Sequence, residues 1–447
     1  MTLALNSEQK ENGSGFWMKS GEGTHQSIST SSEGLTACHE CDFLHTTHPL
    51  PENGKALCTR CGALLYQNIP NSIDKMLAWN LAAFMFLIMA NAFPFISLKL
   101  SGNVEENVFV SGALALYKLG MAELGLLVFL TSVFFPFITI AGMLYILIPL
   151  KFGKRVAGIG SVYRLVKALW PWSLLGVFML GVLISIVKLL DLATIIPGIS
   201  LYCFAALLLT STAANSNFDF SVIWPNKNNF KGKRAGATAA ERGLLNCHTC
   251  GLLVQESEST EHAHHYCPRC ETSLHSRKTN SVTRCWALIF AATILLIPAN
   301  VYPVMTVVRF GQGDPDTILS GVKHLIEGGM WPLALIVFFA SVVVPVTKLI
   351  VLSLLLITVQ KKSDWRPRDR TFLYRVTEIV GAWSMVDIFL VGILAALVNL
   401  DSLATIRPGI GAIFFAAVVV ITIFAAHSFD PRLIWDNAEE RGKGIKA

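Results

Sequence analysis

The chain has 447 residues, of which 53% are hydrophobic and only 15% charged. That much apolar surface with so few charges excludes an ordinary soluble globular protein. The formal net charge of +6 comes from basic residues clustered beside apolar runs, which argues for a membrane surface and against nucleic acid as the partner.

Residues 1–37 are polar and rich in Ser, Gly and Thr, and lack the apolar core of a signal peptide, so they read as a disordered cytosolic tail. Residues 38–70 carry Cys38, Cys41, Cys58 and Cys61 in the spacing C-x2-C-x16-C-x2-C. Two thiolates separated by two residues grip one side of a tetrahedral ion, and the sixteen-residue return brings up the second pair. The expectation is a zinc ribbon. Four thiolates close the coordination sphere, so the ion is structural and not hydrolytic. An iron centre of rubredoxin type and dithiol redox chemistry are the competing readings. His39, His48, His248, His262, His264 and His265 read as solvated loop residues, since the thiolates already fill the sphere.

Residues 71–224 form a first transmembrane module, with apolar runs near 76–98, 125–150, 169–190 and 199–212. A basic, flexible linker covers 225–246. Residues 247–279 repeat the ribbon with Cys247, Cys250, Cys267 and Cys270. A second transmembrane module covers 280–435, with runs near 285–308, 333–358, 379–400 and 412–426, and a short tail follows at 436–447. Runs of about 18 or more apolar residues cross a ~30 Å hydrocarbon core as helices, because backbone polar groups in lipid must be satisfied internally. Pro136 and Pro345 fall inside the second helix of each module and predict a kink there.

The two halves are copies. A shift of 209 carries the first cysteine set onto the second, Asn71-Ser72 onto Asn280-Ser281, Ser111-Gly112 onto Ser320-Gly321, and Ser132 and Pro136 onto Ser341 and Pro345. A shift of 211 then carries Trp172-Ser173 onto Trp383-Ser384, Gly181 onto Gly392, Pro197-Gly198 onto Pro408-Gly409, and Trp224 onto Trp435. The fold class is therefore mainly α, a polytopic membrane protein in which a four-cysteine zinc ribbon followed by a four-helix transmembrane module is duplicated in tandem, giving eight spans.

Charge sets the orientation. Lys151, Lys154, Arg155, Arg164 and Lys167 lie between the second and third spans, and Lys361, Lys362, Arg366, Arg368, Arg370 and Arg375 occupy the equivalent stretch. Glu105, Glu106, Asp314 and Asp316 lie between the first and second. Positive residues stay inside, so the basic stretches, both ribbons and both termini are expected in the cytosol.

Ionisable groups inside a membrane are costly and need a reason. Lys348 shares a helix face with Ser341 and Pro345, and Asp387 shares one with Ser384. Two such helices can meet as a Lys–Asp pair, with Thr422 adding a hydroxyl. The patch either gates, titrates or contacts a polar headgroup, or it is a structural ion pair that fixes helix register. The first module has Thr139 and Gly176 at the positions of Lys348 and Asp387. Cys203 and Cys285 read as packing hydrophobes, Trp172 and Trp383 as packing residues, and Trp224 and Trp435 as interfacial anchors. Asn91-Pro94 and Asn300-Pro303 end the first spans. P-loop, nucleophile-elbow and H-E-x-x-H patterns are absent, so the chain does not read as an enzyme.

The duplicated module, the stretch Trp383-Ser384-Met385-Val386-Asp387, the stretch Thr317-Ile318-Leu319-Ser320-Gly321 and the ending Phe429-Asp430-Pro431-Arg432-Leu433-Ile434-Trp435-Asp436 together resemble the paraquat-inducible protein A family over roughly residues 38–438. The resemblance implies an inner-membrane subunit that loads or unloads lipid at a periplasmic tunnel partner built from MCE (mammalian-cell-entry) domains. It further implies phospholipid cargo, an outer-membrane lipoprotein as a further component, and a polar network at Ser341, Lys348, Ser384, Asp387 and Thr422. Two departures stand out: Ala382 occupies a position where relatives can have Arg, and Gly176 one where they can keep an acid. A purely structural anchor for the tunnel partner and a membrane redox protein are the alternative readings.

Overall fold

The computed structural model describes residues 34–100, 103–108, 110–154, 158–189, 194–218, 223–224, 237–256, 266–309, 312–397 and 404–436. The expected N-terminal tail up to residue 33, most of the linker, the histidines at 262, 264 and 265, and the tail beyond 436 lie outside these residues. By internal packing the chain divides into two units, one of Met1–Ser72 with Asp219–Arg277, the other of Ile73–Phe218 with Lys278–Ala447.

The first unit contains both cysteine ribbons. Its strands are β1 (Gly34–Ala37), β2 (Leu44–Thr47), β3 (Lys55–Leu57), β4 (Leu64–Gln67), β8 (Leu244–Asn246) and β9 (Leu253–Gln255), paired as antiparallel hairpins β1–β2, β3–β4 and β8–β9. Ribbons this small cannot bury a core alone. These two share one: Leu35, Ala37 and Leu44 of the first pack with Ala239, Leu244 and Leu253 of the second. Leu44 N–H donates to the Ala237 carbonyl (2.9 Å), Ala239 N–H donates to the Asp42 carbonyl (2.8 Å), and Asn246 Nδ2 donates to the Ala37 carbonyl (3.3 Å).

The second unit holds eight helices long and apolar enough to cross a membrane: α1 (Ser72–Ala92), α3 (Ala122–Lys151), α4 (Ile159–Val187), α5 (Ile199–Ser216), α6 (Ser281–Val301), α8 (Trp331–Gln360), α9 (Pro367–Ala395) and α10 (Ile410–Ser428). Two short helices, α2 (Ser111–Lys118) and α7 (Ile318–Glu327), precede the second span of each half. The protein is a multi-pass membrane protein. Large side chains such as Leu81, Met85, Ile294, Ile297, Leu209 and Phe424 stand exposed on these helices, as lipid-facing positions require.

Several boundaries differ from the sequence expectation. The first apolar runs do not continue as helix. They stop at Ala92 and Val301, and the chain turns into β5 (Pro94–Leu100) and β10 (Met305–Arg309). Each is the central strand of a three-stranded antiparallel sheet, flanked by β6 (Asn103–Val108) and β7 (Thr194–Pro197) in one half and by β11 (Gln312–Asp316) and β12 (Ala404–Pro408) in the other. Asn91 and Asn300 end their helices alike, each donating its side-chain amide to the carbonyl four residues back, Leu87 at 2.8 Å and Leu296 at 2.9 Å.

The repeated Pro-Gly pairs follow from these sheets: a Cβ on Gly198 would lie 2.1 Å from the Pro94 carbonyl oxygen, and one on Gly409 2.2 Å from that of Pro303. The basic stretches are largely helical rather than loops, since Ile159–Leu169 and Pro367–Gly381 form the first parts of α4 and α9. Pro136 and Pro345 do not simply kink their helices. Each follows a π turn, Leu130–Phe134 in α3 and Phe339–Val343 in α8. Proline lacks the N–H that the helical ladder needs, and a π turn absorbs the mismatch.

Both modules share one hydrophobic core. The duplication is not mirrored in the packing. In α9, 76% of the most apolar window is buried, against 39% in its counterpart α4. A Cβ on Gly181 of α4 would lie 3.0 Å from Phe389 Cβ, and one on Gly392 would lie 3.1 Å from Leu116 Cδ1 of α2. These glycines let α9 press against the first module. Trp172 packs on Phe424 across the modules with ring centroids 5.1 Å apart, as a packing residue should, whereas Trp383 is 53% exposed.

Candidate functional sites

Each cysteine set converges. In the first ribbon Cys38 Sγ lies 3.5 Å from Cys61 Sγ and Cys41 Sγ 3.5 Å from Cys58 Sγ. In the second, Cys247 and Cys270 are 3.5 Å apart and Cys250 and Cys267 3.4 Å. Within each set all four sulfurs lie within 4.8 Å of one another and all are buried. Sulfurs at ~2.3 Å around a tetrahedral ion have edges of about 3.8 Å, so both sets fit a metal with little movement. The separations are far beyond a disulfide bond of ~2.05 Å, so no disulfide joins these cysteines.

The knuckles explain the local sequence. After each C-x2-C pair the chain enters the left-handed region, at Asp42 (φ 60°), Gly62 (φ 75°), Gly251 (φ 62°) and Glu271 (φ 57°). The turn is closed by an N–H from that residue to the first cysteine's carbonyl, as in Asp42 to Cys38 (2.9 Å) and Gly251 to Cys247 (2.8 Å). Two of the four positions therefore carry strain that glycine would relieve. At Asp42 the side chain compensates: its buried carboxylate accepts from Ala240 N–H (3.2 Å) and pairs with Arg277 Nη1 at 3.1 Å.

Four sulfurs this close cannot all be anionic unaided. The hydrogen bonds with Cys38 and Cys247 push Cys41 and Cys250 well above the thiol range, with burial adding to it. Those from Cys38 and Cys41 hold Cys58 well below it, and that from Cys250 brings Cys247 down to about 4. A divalent cation is what would let all four ionise together. His45, not singled out in the sequence, is buried with Nε2 3.2 Å from Cys58 Sγ. Its counterpart in the second ribbon is Val254, where instead Thr272 Oγ1 lies 3.2 Å from Cys270 Sγ.

The second candidate site is the polar centre of the second module. Lys348 on α8 is 4% exposed, and its Nζ donates to Thr422 Oγ1 of α10 at 3.3 Å. Thr422 in turn donates its hydroxyl proton to the Val419 carbonyl (2.9 Å), which leaves a lone pair for the ammonium. The lysine lies over Gly381 of α9, where a Cβ would come 2.6 Å from Nζ. Ser341 sits in the π turn of α8 and donates to the Val337 carbonyl (2.5 Å). That turn packs against the 3-10 turn Ala382–Met385. The Ser384 hydroxyl in this turn is buried, with no hydrogen-bond partner among the described residues.

Asp387 does not complete the set as a direct partner. Among the described residues no ion pair joins Lys348 to Asp387, so the expected Lys–Asp pair is not formed. Asp387 instead lines a separate apolar cavity of about 50 Å³ together with Asp316, Thr317, Val304, Phe415 and Ile184 of the first module. The Thr317–Ser320 stretch beside it is a capping box. Thr317 Oγ1 accepts from Ser320 N–H (3.2 Å), Ser320 Oγ accepts from Thr317 N–H (2.8 Å), and Ser320 Oγ also donates to Asp316 Oδ1 (3.1 Å).

The ending around Asp430 is a clamp whose role the sequence did not reveal. The Asp430 carboxylate accepts from Arg432 Nε and Nη2 (3.0 and 2.9 Å) and from the backbone N–H groups of Lys278 (3.0 Å) and Arg432 (3.1 Å). Ser281 Oγ accepts from Asp430 N–H (3.1 Å) and donates to the Ser428 carbonyl (2.8 Å), tying the start of α6 to the end of α10. Burial alone would raise the Asp430 carboxyl; the hydrogen bonds and charge of Arg432 overcome it and hold it below the usual range. Trp435 is buried and donates to Thr371 Oγ1 (3.0 Å), and Trp224 is buried with Arg269 over its ring at 5.8 Å. Both, read from sequence as interfacial anchors, are packed inside the protein.

These features define a duplicated multi-pass membrane protein with two four-cysteine metal-type centres and a buried polar centre in its second module. The chain belongs to the paraquat-inducible protein A family, whose model matches residues 73–228 and 282–439. It is 31% identical over 411 residues to the intermembrane transport protein PqiA of Escherichia coli strain K12, covering 90% of this chain and 96% of that protein. It is 31% identical over 409 residues to the lipophilic envelope-spanning tunnel protein A of the same strain, covering 91% and 92%. It is 26% identical over 406 residues to a probable intermembrane transport protein of Haemophilus influenzae, covering 90% and 95%. No solved structure matches the chain.

Proposed function

We propose that this chain is an inner-membrane subunit of an intermembrane lipid transport system, loading or unloading phospholipid at a periplasmic tunnel partner built from MCE domains, with the second transmembrane module as its working part. Full-length kinship with relatives named for intermembrane transport supports the lipid reading. The observation that carries the site assignment is Lys348, an amine held almost without exposure in the middle of an apolar span. A charge in that place is too costly to be retained without a task. Ser341, Ser384 and Thr422 supply hydroxyls around it, and Asp387 supplies a carboxylate on a separate cavity wall.

In this reading the two cysteine sets hold structural zinc, because four thiolates with no open position suit that ion and leave none for a substrate. The basic stretches, both ribbons and both termini lie in the cytosol, and the two three-stranded sheets face the periplasm, toward the partner. The test is phospholipid flux between membranes in strains carrying Lys348→Ala or Asp387→Asn at normal protein level. A marked loss is expected. Unchanged flux in both would overturn the assignment and leave a structural anchor.

A further inference from the structure

The first module contains a cavity with a wall that is half polar and half apolar at the position where the second module has its lysine. It measures about 270 Å³ and is lined by Asn80 of α1, Thr139 of α3, Trp170, Ser173 and Gly176 of α4, and Ser211 and Thr212 of α5. The repeat makes these positions meaningful. Thr139 corresponds to Lys348, Ser173 to Ser384, Gly176 to Asp387 and Ser211 to Thr422. The first half thus lacks the long amine and the acid but has hydroxyls at the other positions.

The hydrogen-bond directions are as informative as the residue types. Thr139 Oγ1 donates to the Pro136 carbonyl (3.0 Å), Ser211 Oγ to the Leu208 carbonyl (3.0 Å), and Thr212 Oγ1 to the same Leu208 carbonyl (2.8 Å). Asn80 Nδ2 donates to the Met76 carbonyl (2.9 Å). Each hydroxyl has spent its proton on its own helix and keeps its oxygen as an acceptor, and Asn80 keeps its Oδ1 as one. Ser211 bonds three residues back, as Thr422 does, and Thr422 accepts the ammonium of Lys348 in that arrangement. A cluster of neutral acceptors beside an indole ring is a receptor for a cation that donates several hydrogen bonds.

We propose that this cavity binds the primary ammonium of an ethanolamine phospholipid headgroup, in the place that the second module fills with its own Lys348. The cavity lies among four membrane-spanning helices. By helical rise, Ser211, Asn80 and Thr139 are roughly 8, 12 and 18 Å from the nearer ends of α5, α1 and α3, a depth that a lipid reaches sideways from its leaflet. Gly176 and Thr212 are exposed, which gives a lateral entrance. The two halves then divide the work: one offers acceptors to the lipid's amine, and the other carries an amine of its own. The inference rests on the lipid-handling reading but concerns a different site, and the two can fail separately.

The test is native mass spectrometry of the full-length protein released from bilayers of equal acyl composition with ethanolamine, choline or glycerol headgroups. The choline headgroup keeps the charge and lacks N–H donors. Retention of the ethanolamine lipid over the other two by roughly tenfold is expected. Thr139→Lys, which places the second module's amine in the first module's cavity, is expected to erase that preference. Ser211→Ala, which removes an acceptor without adding bulk, is expected to weaken it by roughly threefold. Equal retention of the three lipids, or an undiminished preference in both folded variants, overturns the proposal. Displacement of the lipid by free ethanolamine at an equal concentration overturns the lipid assignment. Flux that depends on Lys348 with no headgroup preference would sink this inference alone, and a headgroup preference without flux would sink the transport reading alone.

Discussion

The ammonium of Lys348 rests over Gly381, with room for a hydrogen atom there and for nothing larger: a Cβ at that position would stand 2.6 Å from Nζ. The same nitrogen lies 3.3 Å from Thr422 Oγ1. One glycine and one hydroxyl therefore fix where a charge sits inside an apolar helix bundle.

Gly381→Ala should displace the flexible end of the lysine while leaving the fold intact, because the clash is with a side-chain tip and not with backbone. Thr422→Val should remove the acceptor at nearly constant volume, a loss of about 1.5–3 kcal/mol for a hydrogen bond to a charged group. Both variants are expected to lower phospholipid flux with normal amounts of protein in the membrane, which quantitative immunoblotting and a lipid-exchange assay would check together.

Lys348 donates to Thr422, and no salt bridge joins it to Asp387 among the described residues, so the two charges should not behave as a pair. A double-mutant cycle of Lys348→Ala and Asp387→Asn, read by thermal unfolding in detergent micelles, is expected to give a coupling energy under about 1 kcal/mol. A coupling of about 3–5 kcal/mol, the scale of a broken buried ion pair, would show that the two charges meet.

Much of this architecture could be read from the residues, and the misses have definite causes. The eight spans and the paired cysteine sets were legible because length, apolarity and spacing are local properties. The strands β5 and β10 were not. The runs at 76–98 and 285–308 stay apolar past the helix ends, and hydropathy does not distinguish the last turn of a span from the first residues of a strand. Pairing of β5 with β7 joins residues about a hundred positions apart, which no local pattern encodes. Lys348 and Asp387 are both buried, but no salt bridge joins them among the described residues. Helical spacing tells which residues share a face, but it does not tell which neighbour that face meets. His45 went unnoticed because four cysteines already satisfy the ion, and support behind a ligand leaves no spacing signature.

Metal analysis of the purified chain should find two zinc ions per molecule, and chelation should unfold the ribbon unit, since structural sites couple binding to folding. Bound iron would overturn the zinc assignment. His45→Ala removes the group beside Cys58 Sγ and should speed zinc loss from the first site, with the second, where Val254 stands in its place, unaffected. The expected acceleration is roughly 10-fold or more, read with a chromogenic chelator.

Asp430 predicts a specific acid sensitivity. Its folded pKa lies below the unfolded value of about 3.9, so its contribution is complete above that value and is lost as the pH falls through the folded one. Asp430→Asn should destabilise the membrane unit by about 2–4 kcal/mol at neutral pH. It should also flatten the fall of unfolding temperature below about pH 4. An acid limb as steep as that of the wild type would show that some other carboxyl is responsible.

The shared core of the two ribbons has a consequence for synthesis at the ribosome. Leu35, Ala37 and Leu44 emerge first, but Ala239, Leu244 and Leu253 follow roughly 200 residues later, after four helices have left for the bilayer. At 5–20 residues per second that interval is about 10–40 s. Throughout it the nascent first ribbon holds Leu35, Ala37 and Leu44 without the side chains that cover them in the folded chain, an apolar face for chaperones to shelter until the second ribbon arrives.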